Sequence, residues 1–179
     1  MNEIFEKGWF SFKHPIDSIK GLFWGLKHER ERSKRGFSEY DVMDVDVYLE
    51  YLLPDLLEAY LKKLDEIGSF PILFMEEYYN EHKDEIGCTF EEFICYTPDL
   101  RDKHEKMEEE SRRRWRKIID EMVFLFRESC ESTSSRPDPD PCMNSDEWND
   151  LCDENREYRR TCRKKAFRLL AEWFEYLWI

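Results

Sequence analysis

Two pairs of carboxylates, Glu128 with Glu131 and Glu147 with Asp150, are the residues whose types and spacing could do chemistry. Three positions apart on a helix, the members of a pair share a face, and the intervening residues 132–146 allow a second helix to turn back beside the first. Such a quartet would supply the hard oxygen ligands that Mg²⁺ requires. The competing reading is four solvated carboxylates at helix ends beside a proline loop. Other chemistries lack their residues. A di-iron bundle needs Glu-x-x-His on two helices, but His14, His28, His82 and His104 follow Ser11, Gly25, Tyr79 and Arg101 at that spacing. There is no Gly-Lys-Ser or Gly-Lys-Thr phosphate loop, no Cys-x-x-Cys pair and no Cys/His cluster at zinc spacing.

The carboxylate spacing resembles the Glu-x-x-Glu then Glu-x-x-Asp pattern of the all-α nucleotide pyrophosphohydrolases, and the resemblance implies Mg²⁺ as cofactor, held by Glu128, Glu131, Glu147 and Asp150. No stretch of the chain otherwise specifies a reaction.

The elements that must position these groups are helical. Charged residues make up 39% of the 179 positions, which leans toward disorder, but 16% are aromatic and recur at helical spacing, which decides for folding. Six Gly and seven Pro supply too little turn chemistry for an all-β chain. The reading is a single all-α domain over residues 1–179, an irregular bundle of five to seven helices, three of them long. After the aromatics Phe5, Trp9, Phe10 and Phe12, a first helix starts at Pro15 and stops at Gly36. Ser38, with Asp41 three residues on, caps the next helix, whose apolar run extends from Val42 to Leu64; Pro54 inside it predicts a kink or two abutting helices. Short helices follow over Pro71–Glu85 and from Thr89, capped with Glu92. A long one from about Asp99 to Ser129 is expected to turn Met107, Trp115, Ile118, Ile119, Met122, Val123 and Phe126 toward the core, and Glu108–Arg112, Glu109–Arg113 and Glu110–Arg114 are expected to pair along its exterior. Three alternating prolines make about 131–143 a flexible Ser/Pro/Asp loop, after which Asn144 starts a closing helix whose apolar face is expected to run through Trp148, Leu151, Cys152, Cys162, Ala166, Leu169, Leu170, Trp173, Phe174 and Leu177. Cys130 and Cys142 flank that loop as the one plausible disulfide, with free thiols expected in a reducing compartment.

Charge is distributed unevenly. Ser38–Glu110 holds 22 acidic residues against six Lys and Arg, a local net of −16 within a chain of net −13. This implies a negative flank suited to a basic protein surface, with Asp41, Asp44, Asp46, Glu76, Glu77, Glu81 and Glu85 as candidate contacts, and disfavours direct nucleic-acid binding. A purely solubilising role for the charge is the bland alternative. No uncharged stretch approaches the roughly 20 residues of a membrane span, and no secretory signal is evident, so the expected location is the cytoplasm.

Arg35-Gly36-Phe37-Ser38-Glu39-Tyr40-Asp41-Val42-Met43, with Asp46-Val47-Tyr48-Leu49 and Leu53-Pro54 beyond it, resembles an uncharacterised family of tailed-bacteriophage and prophage proteins. Phe93, the Trp115-x-x-Ile118-x-x-Glu121-Met122 segment and the aromatic C-terminus fit the same likeness, which implies phage origin, host-cytoplasmic location and no particular catalysis. The functional expectation is an acidic interaction protein, an inhibitor of a host nucleic-acid-binding or defence protein being one form of it. A phage structural or assembly role and the magnesium-dependent hydrolase are the alternatives.

Overall fold

In the computed structural model, residues 15–95 and 98–177 are described, with side chains from Phe23 onward; the aromatics before Pro15 lie outside that range. Seven α-helices are present among the described residues, and no strand. They fall into two compact units, Met1–Leu49 and Glu50–Ile179.

The first unit contains α1 (Pro15–Arg35), α2 (Glu39–Met43) and the opening residues of α3 (Val45–Ile67). Gly36 ends α1 because it takes φ +81°, where a side chain would be strained. Ser38 then caps α2 in the expected reciprocal box with Asp41. Asp44, at φ −126° and ψ 57°, separates α2 from α3.

In the second unit α3 continues, followed by α4 (Ile72–Ile86), α5 (Phe90–Ile94), α6 (Arg101–Ser129) and α7 (Ser145–Trp173). α6 and α7 each contain 29 residues, about 43 Å of helix. The ring contacts Phe126–Phe167 and Trp115–Trp173 run in opposite chain order, so the two helices are antiparallel. Every third or fourth residue of α6 faces inward, from Met107 through Trp115 and Ile119 to Met122 and Phe126, all at most 1% exposed. Leu57, Leu61 and Leu64 of α3, Phe74 of α4, and Cys162 and Ala166 of α7 close the main core around them. A second cluster joins Tyr78, Tyr79 and Ile86 of α4 to Phe93 and Met107.

Four expectations change. α3 runs through Pro54 without a break; the non-helical residue is instead His82 in α4 (φ −116°, ψ 17°), whose Nδ1 lies 2.9 Å from the Tyr78 carbonyl while its ring stacks on the Tyr78 ring. Pro54 is buried, so its ring serves as packing surface. The broad apolar run of α3 divides, with Leu57 and Leu61 inside while Leu52 and Leu56 stay exposed. On α6, Arg113 binds both oxygens of Glu110 rather than Glu109, because Glu110 already leans toward Arg114 and presents itself one turn below both arginines. Trp148 and Phe174, expected on the inner face of the closing helix, are exposed.

The connector 130–144 is irregular, as its prolines require, yet it is tied at several points. The Thr133 hydroxyl donates to the Arg127 carbonyl, Asn155 donates to the Pro137 carbonyl, and the Arg136 guanidinium sits over the Tyr158 ring. All six cysteines are free, Cys130 buried and Cys142 exposed.

Candidate functional site

The acidic candidates fall on α2, on its junction with α3, at the start of α3 and on α4, and they do different things. Asp41 is the correction: it is 4% exposed and faces inward. Its Oδ2 accepts from Arg32 Nε at 2.8 Å, from the Ser38 backbone N–H at 2.6 Å and from the Ser38 hydroxyl at 2.9 Å, while Oδ1 accepts from Arg32 Nη2. The Arg32 guanidinium, aided by the Ser38 donors against the cost of burial, holds the Asp41 carboxyl far below the usual range. Tyr48 adds a hydrogen bond from its hydroxyl to the Gly36 carbonyl. Gly36, Ser38, Asp41 and Tyr48 thus form, with Arg32, a polar lock that sets the turn between α1 and α2. Replacing Asp41 by Ala should cost about 2 kcal/mol, by removing the close partner of Arg32 and leaving the two Ser38 donors without their acceptor. Faster amide exchange confined to residues 30–48 would register that loss, and unaltered exchange would refute it. Asp44 and Asp46 remain exposed.

On α4, Phe74, Tyr78, Tyr79 and Ile86 face the core, which places Glu76, Glu77, Glu81 and Glu85 outward. Glu77 and Glu81, one turn apart, converge on Arg114 of α6. Its Nη1 and Nη2 reach the two Glu81 oxygens at 3.0 and 2.6 Å, Nη1 lies 3.5 Å from Glu77 Oε2, and Nε donates to Glu110 Oε1 at 2.9 Å. Three carboxylates around one guanidinium leave a local surplus of negative charge. Glu81 first and Glu110 next push the Arg114 pKa up, while Arg114 lowers those of Glu81 and Glu110. Beside this hub, Tyr78, His82, Lys106, Glu109, Glu110, Arg113 and Arg114 line an open cleft of about 370 Å³. Glu76 and Glu85 are exposed, and among the described residues neither carboxylate has a lysine or arginine at ion-pair distance.

The four carboxylates of the magnesium reading do not converge. Among the described residues, no three His, Cys, Asp or Glu gather where they could hold a metal ion. Glu128 is 4% exposed and already engaged. It accepts from the Ser135 backbone N–H at 2.9 Å, from the Ser135 hydroxyl at 2.9 Å, from the Tyr158 hydroxyl at 2.9 Å and from the Ser134 hydroxyl at 3.3 Å. Glu131 is exposed opposite Arg159 at 3.9 Å, and Glu147 and Asp150 lie exposed in the first turns of α7. The loop that was to separate two ligand pairs folds back and takes the carboxylate as its own anchor.

The sequence identified these acidic positions but missed Arg114 as their cross-helix hub. Its i,i+4 relation to Glu110 is local and legible; its approach to Glu77 and Glu81, more than 30 residues earlier, depends on α4 packing against α6. Compared with protein-family models, with curated proteins and with solved structures, the chain gives no match.

Proposed function

We propose that this chain is a non-enzymatic interaction protein whose acidic helices engage a basic protein surface. The observation that carries the reading is the set of outward carboxylates between Glu76 and Asp102: Glu76, Glu85, Glu91, Asp99 and Asp102 are exposed and lie outside the ion pairs. Of the three cations in or next to that stretch, Lys83 is exposed, Lys103 is spent on the carbonyls of Glu85 and Ile86, and Arg101 pairs with Glu105, so the carboxylates outnumber the cations left to oppose them. A field of one sign steers a partner of the other and accelerates encounter more than it tightens the final complex. The likeness of Arg35–Met43 to phage and prophage proteins is consistent with a host nucleic-acid-binding or defence protein as the basic partner, because such a protein already carries a surface that binds a polyanion.

The test uses the full chain and a panel of lysine- and arginine-rich nucleic-acid-binding proteins, with association followed by interferometry. Binding is expected to be displaced by duplex DNA, and the association rate should fall about tenfold between low and physiological salt, as the Debye length contracts toward about 8 Å. Glu76→Lys with Glu85→Lys should slow association by a further factor of roughly 10, because it reverses surface charge without touching the Arg114 hub. Binding that ignores both salt and the double reversal, or no binding to any member of the panel, would remove the proposal.

A further inference from the structure

Residues Phe23–Leu49 present an unusual surface. Met43 is 80% exposed, Phe23 76%, Tyr40 59%, Trp24 57%, Val42 57% and Val45 50%, whereas the only buried residues of that stretch are the polar Ser38 and Asp41. The turn therefore keeps its shape through the Arg32, Ser38 and Asp41 lock, and its apolar side chains are left for something else. Part of the surface is continuous: Trp24 stacks on His28 at 5.9 Å between ring centroids, and His28 meets Tyr40 edge-on at 5.8 Å, joining α1 to α2. Taken together, large side chains at these exposures offer on the order of 1,000 Å², close to one side of a standard protein interface.

Charge selects the occupant. Met1–Leu49 carries nine acidic and eight basic residues, a net of −1, so Glu50–Ile179 carries the remaining −12 of the −13 total. A basic partner gains little from the near-neutral unit. A second copy of this acidic chain, by contrast, meets least repulsion there. The unit also contains both signs, with exposed Arg30, Lys34 and Arg35 on α1 and exposed Asp44 and Asp46 after α2. A twofold contact brings the same patch to both sides, so the cations of one copy can face the carboxylates of the other. We infer that Phe23–Leu49 is the interface of a homodimer, in which two copies bury this apolar surface against each other. The inference does not depend on the acidic surface binding any partner.

Sedimentation equilibrium of the full chain from about 1 to about 100 µM tests it. The expected result is a dimer whose dissociation constant rises roughly 100-fold in Met43→Glu, since the twofold axis places the new charge on both sides of the contact. Because Met43 is so exposed, the far-ultraviolet circular dichroism should be unchanged. Phe124→Glu, at a 55% exposed apolar position of α6, should leave the dimer intact. A chain that is monomeric throughout that range, a dimer that survives both Met43→Glu and Val42→Glu, or one that Phe124→Glu dissolves as readily, overturns the inference.

Discussion

Trp115→Ala is expected to lower the unfolding free energy by about 4 kcal/mol, because deleting a fully buried indole removes its transfer free energy and leaves a cavity that rigid neighbours cannot fill. The ring is 1% exposed and touches Tyr60 of α3, Phe74 of α4 and Trp173 of α7. Its Nε1 donates to the Tyr60 hydroxyl at 3.3 Å. Four helices therefore share one side chain, and no single one can move inward without disturbing the other contacts. For a chain of this length the loss corresponds to roughly 8–16 °C in melting temperature. Guanidinium unfolding followed by far-ultraviolet circular dichroism would measure it. A loss below about 1 kcal/mol would mean that the aromatic cluster does not hold these helices together.

The second large effect belongs to Glu128. At neutral pH, Glu128→Ala should cost about 3 kcal/mol, since it removes a buried charged acceptor from the Ser135 N–H and from three hydroxyls that converge on it. The cost should also depend on pH in a definite direction. Burial alone would raise the Glu128 pKa, but the hydrogen bonds from Ser135, Tyr158 and Ser134 outweigh it and bring the pKa below the ordinary 4.5. A carboxylate depressed on folding contributes its full stabilisation above its unfolded pKa and loses it as pH falls through its folded pKa. The stability gap between the natural chain and Glu128→Ala should thus be constant from neutral pH down to about 4.5 and shrink below it. Tyr158, pushed up to about 12 by burial and by the same carboxylate, stays a donor across that whole range. A gap that widens on acidification would contradict the assignment of the ionised form.

Much of this architecture is legible in the residues alone, for local reasons. Ser38 with Asp41 and Thr89 with Glu92 build caps from side chains three positions apart, and Gly36, Gly68 and Gly87 end helices by adopting positive φ, each a matter of nearest neighbours. The inward face of α6 follows from spacing. What failed depended on how side chains meet once the chain turns and packs, which helical spacing alone does not show. Asp41 reads as one more surface acid until Arg32 is seen to claim it, and Glu128 reads as a metal ligand until the chain beyond it returns to Ser135. The break at His82 rather than Pro54 has a similar origin. A proline buried against neighbours can be accommodated in a helix, whereas nothing in the local sequence marks His82, whose ring binds the Tyr78 carbonyl.

Because the described residues contain helices and no strand, their backbone amides and carbonyls are almost wholly consumed within their own helices. No open sheet edge is offered along which a peptide or another chain could add itself by main-chain pairing. Whatever associates with those residues must read side chains, so a few surface substitutions, acquired one at a time, would suffice to redirect its choice of companion while the scaffold beneath stayed as it is.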